Sequence, residues 1–295
     1  MEFRETLVER QKEVNSLLCV GLDPLVKKMP MVIRESYTYD WNATLAWMTG
    51  IVNATAKFAC MFKPNRAYWE RIDGGEKALR ALIRHIHIRH PSIPVFLDCK
   101  RGDIDSTQEQ YREAHFTLDG VDGMNYNGYM GSGTLKALID PKYMGRGLVG
   151  LGRTSNSEAW EIQDEHLESG GSFWEWMVGR ILKWSDKFGV LENAGVVMGA
   201  AYNNPMLPSR IESWHLVRAR QIVGEKLWFL IPGIGTQGGC IESTVTASFK
   251  GPGSIAINSS SAINFASNGP DYAEAAARVA EETRDKIRAA SGNCS

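Results

Sequence analysis

Short apolar runs punctuate this chain, each closed by Gly, Pro, Asn or a charged residue: Leu17–Gly21, Ala59–Lys63, Ile93–Asp98, Val121–Tyr126, Gly147–Leu151, Gly195–Gly199, Leu227–Ile231 and Ser254–Ile257. Runs of this length, bounded by turn residues, read as buried strands. Between most of them lie segments with apolar residues at helical spacing, clearest over Trp41–Lys57, Glu76–His90 and Asp271–Ala289. Strands alternating with helices predict βαβ units and a parallel sheet. About eight such units in 295 residues point to an α/β chain, a single (β/α)8 TIM barrel over 1–295, rather than an open doubly wound sheet. No Gly-x-Gly-x-x-Gly follows the first run, which counts against a dinucleotide-binding fold. The pattern predicts an N-terminal helix over 1–15 and an unusually long helical crossover over about 157–190. The latter carries Trp160, Trp174, Trp176 and Trp184, read as core or interface aromatics. Ser106-Thr107-Gln108-Glu109 has capping-box form, which predicts a helix with Ser106 as N-cap.

Composition narrows the class. A net charge of -1 supplies no basic field for nucleic acid, and no apolar run is long enough to span a membrane. The charged, helix-like start MEFRETLVERQKEV is unlike an export signal. The five cysteines are scattered without a CxxC pair or zinc spacing, as expected of reduced thiols in a cytoplasmic protein. His85, His87 and His90 sit among Arg80, Arg84 and Arg89 and read as a solvated basic face rather than a metal cluster.

Chemistry gathers where the strands end. In a barrel all the C-terminal strand ends open on one face, the usual place for an active site. Strand one ends in Asp23-Pro24, strand two in Lys63-Pro64-Asn65, strand five in Arg153-Thr154-Ser155-Asn156, and strand eight in Asn258-Ser259-Ser260-Ser261. Strand seven runs into the glycine-rich Pro232–Gly239, a place where barrels often hold a phosphate on backbone N–H groups. The densest cluster ends strand three: Asp98, Lys100 and Asp103 within six residues. In an extended strand residues i and i+2 share a face, so Asp98 and Lys100 are expected to project together. Each group has a plainer reading, as a turn starter for Asp23 or a solvent-seeking chain for Lys63. Strand three alone is open to being a structural ion network. Six polar strand ends at one mouth favour chemistry.

At these residues the chain resembles a known family. LDCKRGDI is similar to the D-x-K-x-x-D signature of orotidine 5'-monophosphate decarboxylases, and CVGLDP, FKPNRAYWE, NGYMGSGTL, RTSNS and PGIGTQGG resemble their longer, bacterial-type branch. The signature is shared with sugar-phosphate decarboxylases, in which a magnesium-binding carboxylate stands where this chain has Lys63. The resemblance therefore implies cofactor-free and metal-free decarboxylation of orotidine 5'-monophosphate to uridine 5'-monophosphate in pyrimidine biosynthesis. It implies a catalytic set of Lys63, Asp98, Lys100 and Asp103 in a homodimer, with Asp103 and Thr107 contributed by the partner subunit. It assigns Asp23 to a ribose hydroxyl, Ser155 and Pro232 to the pyrimidine, and Gln237 to the phosphate.

The chain also departs from the family pattern. Ser261 stands where an arginine usually grips the phosphate, Gly128 where a proline is usual, and Asp105 where a glycine is usual. A weakened phosphate grip, a substitute cation in Lys250 or Arg153, and a non-phosphorylated nucleoside substrate are the alternatives this leaves. A non-catalytic phosphate-binding barrel is a further one, from outside enzyme chemistry.

Overall fold

The computed structural model of the chain describes residues 2–203, 209–234 and 239–292. All eight expected strands form, as β1 (Leu18–Leu22), β2 (Met61–Pro64), β3 (Phe96–Arg101), β4 (Gly123–Tyr126), β5 (Gly147–Arg153), β6 (Ala194–Met198), β7 (Trp228–Ile231) and β8 (Ile255–Ser259). They pair in parallel in the spatial order β2-β1-β8-β7-β6-β5-β4-β3. The ring nearly closes between β2 and β3 through the bridges Phe62 to Val95 and Asn65 to Asp98. Every residue of β1, β2, β4, β6, β7 and β8 is buried, as expected of parallel strands covered on both faces.

Helices cover the outside: α1 (Phe3–Val14), α2 (Asp40–Thr55), α3 (Gly75–Arg89), α4 (Asp105–Arg112), α5 (Phe173–Lys187), α6 (Trp214–Val223), α7 (Ile241–Ser248) and α8 (Tyr272–Gly292). Helix α1 closes the N-terminal mouth. Its Phe3 packs on Phe96 and Trp228 with ring centroids 6.0 and 5.6 Å away, and Gln11 donates to the carbonyl of Ile255. Phe3, Leu7, Cys19, Met61, Phe96, Val149, Trp228 and Ala256 form one buried apolar cluster inside the ring. The lower barrel is therefore solid. Polar side chains collect at the other mouth.

Some local expectations fail. Helix α4 begins at Asp105 with Ile104 as N-cap, so Ser106 lies inside it and makes no cap. Asp105 has φ +45°, a conformation glycine adopts without penalty, which accounts physically for its standing at a glycine position. The reciprocal capping box forms instead at Ser172 and Glu175, at the start of α5. A small antiparallel hairpin, Tyr202–Asn203 with Ile211–Glu212, follows β6 and had no apolar run to announce it. At Gly128 an added Cβ would lie 3.0 Å from the Trp184 ring, so the tryptophan-rich helix leaves little room there for a larger residue.

Candidate active site

A cavity of about 420 Å³ opens at the C-terminal mouth, and its walls bring together Asp23, Lys63, Asp98, Lys100, Ser155, Pro232 and Ser261 from six strand ends. Lys63 is 3% exposed, so it does not reach for solvent; its Nζ lies 3.1 Å from Asp98 Oδ2. On the other oxygen, Asp98 Oδ1 takes Lys100 Nζ at 2.6 Å and Asn125 Nδ2 at 2.8 Å. Asp98 is thus a carboxylate held between two ammonium groups. Burial alone would raise its pKa, but Lys63 and Lys100 hold it well below the ordinary carboxylate range. Burial would likewise lower Lys63, and Asp98 with Asp23 outweighs it, so Lys63 is raised and stays charged.

The backbone beneath this cluster is not a regular strand. Lys100 has φ +48°, and the pairing of β3 with β4 shifts register between Leu97 and Arg101. The expected juxtaposition of Asp98 and Lys100 is present, but a left-handed residue produces it rather than simple alternation. Asn125 on β4 fixes that turn, its Oδ1 accepting from the backbone N–H groups of Cys99 at 2.9 Å and Lys100 at 2.7 Å. A non-glycine residue at positive φ costs about 1–2 kcal/mol, and such strain gathers at functional sites.

Asp23 does not start a turn of its own; its Oδ1 accepts from the Asn65 N–H at 3.0 Å and so ties β1 to β2. Gly21 lets strand eight come close, since a Cβ there would lie 1.7 Å from Ser260 Oγ. Asn65, Tyr68, Asn125, Asn258 and Ser260 line the cavity with no role assigned by the sequence reading. Asn65, Asn258 and Ser260 were already among the polar strand ends of the sequence, whereas Tyr68 and Asn125 were missed; the local signal for Asn125 is an amide between Met124 and Tyr126.

Asp103 and Thr107 are not brought to this cavity. Asp103 accepts from the neighbouring Ile104 N–H at 2.8 Å, and Thr107 is exposed on α4. Gln237 lies outside the described residues. Neither substitute cation is free for the position of Ser261. Lys250 precedes β8 while Ser261 follows it, which puts the lysine at the opposite mouth. Arg153 is held bidentately by Asp164, with Nε to Oδ1 at 2.9 Å and Nη2 to Oδ2 at 2.8 Å, and it faces an adjoining cavity of about 610 Å³.

A barrel whose C-terminal mouth holds Asp98 between the buried Lys63 and the half-exposed Lys100 fits the framework of a decarboxylase. Residues 16–278 match the model of the Orotidine 5'-phosphate decarboxylase / HUMPS family. A protein of Azoarcus sp. (strain BH72) named orotidine 5'-phosphate decarboxylase is 39% identical over 98% of this chain and 99% of its own length. One of the same name from Dechloromonas aromatica (strain RCB) is 40% identical over 97% and 98%. The solved OMP decarboxylase of Leishmania donovani superposes with a TM-score of 0.76 at 28% identity, over 99% of both chains. The chain belongs to the Orotidine 5'-phosphate decarboxylase / HUMPS family.

Proposed function

We propose that this chain decarboxylates orotidine 5'-monophosphate to uridine 5'-monophosphate. The observation that carries the reading is the buried ammonium of Lys63 against Asp98, at a position where the sugar-phosphate branch would carry a metal-binding carboxylate. The site's charges supply the chemistry. A substrate carboxylate set against Asp98 is repelled until carbon dioxide leaves. The carbanion then developing at C6 faces Lys100, whose ammonium stabilises it and donates the proton. Such electrostatic preorganisation acts only on charge present in the transition state. Lys63 supports it by keeping Asp98 ionised. Protein added to orotidine 5'-monophosphate in the presence of EDTA should discharge the substrate's absorbance; no change would sink this reading.

The same reading makes the active unit a homodimer in which Asp103 and Thr107 complete the partner's pocket. It is supported by their position on an exposed rim with Ile104, Tyr129 and Met130, three exposed apolar residues on the loops after β3 and β4. Mixing Asp103→Ala with Lys100→Ala chains tests it, since hybrid dimers regain one intact site. In this reading the phosphate is met by the hydroxyls of Ser260 and Ser261, which stand on the cavity wall where the family pattern has an arginine. Replacing a charge-assisted pair with a neutral donor costs about 2–4 kcal/mol. Ser261→Arg should therefore raise kcat/KM for the nucleotide by about thirtyfold or more. A nucleoside turned over better than its nucleotide would overturn the phosphate assignment. The reduced, cytoplasmic setting is supported by Cys19 and Cys60, free thiols in the core.

A further inference from the structure

The second half of the long crossover after β5 packs Trp174, Met177, Val178 and Ile181 into the core, and its first half turns back onto the strand end it has just left. Gln163 reaches Thr154 twice: its Oε1 accepts the Thr154 N–H at 2.8 Å, and its Nε2 donates to Thr154 Oγ1 at 2.7 Å. Thr154 Oγ1 donates onward to Asn156 Oδ1 at 2.6 Å. The next residue, Asp164, holds both donors of Arg153 described above. The two residues before Ser155 are thus fixed by side chains from the crossover, and Asn156 after it is tied to them through Thr154 Oγ1. From the opposite flank, Gly199 donates to the Arg153 carbonyl at 2.7 Å. A Cβ on Gly199 would lie 3.2 Å from Ser155 Cα, so β6 presses close there. The Gly199 carbonyl in turn pairs with His215 Nε2 at 2.8 Å, inside the core.

Ser155 itself stands on the cavity wall with no hydrogen bond from its hydroxyl to any described residue. A hydroxyl on a long loop loses its direction unless the flanking backbone is pinned. Here the backbone is pinned and the hydroxyl is left for a ligand. We infer that Gln163, acting through Thr154, and Asp164, acting through Arg153, are positioning residues that hold Ser155 for the pyrimidine end of the substrate. This rests on the reading of Ser155 as the pyrimidine contact. The crossover is then part of the active site rather than an external ornament.

A double-mutant cycle of Gln163→Ala with Ser155→Ala tests the inference, read as inhibition constants of uridine 5'-monophosphate and ribose 5-phosphate together with Tm. Gln163→Ala should weaken the nucleotide about tenfold, leave ribose 5-phosphate unchanged, and add nothing further once Ser155 is alanine. Gln163→Glu, which keeps the acceptor for Thr154 N–H, should recover part of the loss. Equal losses for both ligands, or full additivity in the cycle, would overturn the inference alone. A Ser155→Ala variant that binds the nucleotide normally would overturn the pyrimidine reading of Ser155 and the inference with it.

Discussion

Two carboxylates in this barrel are each surrounded by cations, and only one of them faces a cavity. Asp119 is fully buried, below α3, and takes Arg66, Arg80 Nε at 2.9 Å and His115 Nδ1 at 2.9 Å. Asp98 takes Lys63, Lys100 and Asn125. The ingredients match, but the arrangement does not. Around Asp119 every member is locked by a further partner: Arg66 also pairs with Glu70 and Glu76, and Arg101 reaches His115 Nε2 at 3.3 Å. Around Asp98 the far cation, Lys100, is half exposed, carries a positive φ and looks into open space. A structural network minimises strain and exposure. One that spends strain to aim a charge at a cavity is built for a ligand.

The comparison breaks most visibly at Lys100. Lys100→Gly removes the ammonium and the left-handed penalty together, so activity and stability should move in opposite directions. On the role proposed for Lys100 as proton donor, the rate should fall by about a thousandfold or more. Stability should hold or rise by about 1 kcal/mol. Single-turnover rates and urea unfolding read the two effects separately. The mirror experiment is Asp119→Ala. It leaves Arg66 buried without its central partner and should cost about 3–5 kcal/mol of stability. The folded fraction should keep its kcat. If Asp119→Ala spares stability and lowers kcat, the division between the two networks is wrong.

Acid separates the networks next. Asp98 and Asp119 are both lowered, so their contribution is fully present above the unfolded carboxylate pKa and is lost only as pH falls through their depressed folded values. Histidines fail earlier. Burial pushes His215 down to about 4 and also lowers His115, so both are neutral in the fold. Their contribution is present above about pH 6.5 and is lost as pH falls toward the folded values. For His215 the loss should reach about 3 kcal/mol by pH 4, and His215→Gln should flatten that part of the unfolding profile. A profile unchanged by the substitution would assign the acid loss elsewhere.

Much of this was legible in the chain. Eight short apolar runs sufficed for the barrel because a buried parallel strand needs only length, β-branched or aromatic residues and a polar stop. The Asp98-Cys99-Lys100 triplet was legible as a cluster because sequence neighbours stay neighbours. What was not legible came from outside the local pattern. Asp119 reads as an ordinary acid before a glycine, and only the packing of α3 and of the short helix Arg66–Glu70 shows that two arginines converge on it. The capping-box form at Ser106 was outcompeted because the turn into α4 is made earlier, by Asp105 at positive φ. Gln163 sits in a polar stretch without periodicity, so nothing local marks its return to Thr154.

The smallest effect is the most exacting for the strain argument. Asn125 makes three hydrogen bonds, two to the Cys99 and Lys100 N–H groups and one to Asp98. By ordinary accounting, removing a buried amide that satisfies such groups costs about 1–3 kcal/mol. Asn125→Ala also frees residues 99–101 from the left-handed turn, which returns about 1 kcal/mol. The net loss of stability should therefore fall near the bottom of that range, about 1 kcal/mol, while kcat drops about tenfold or more because Lys100 is no longer aimed. In a Lys100→Gly background the turn carries no strain to release, so the same substitution should cost more stability than it does in the wild-type chain. Equal costs in the two backgrounds would mean that the turn stores nothing, and that Lys100 is held at positive φ by packing rather than by Asn125.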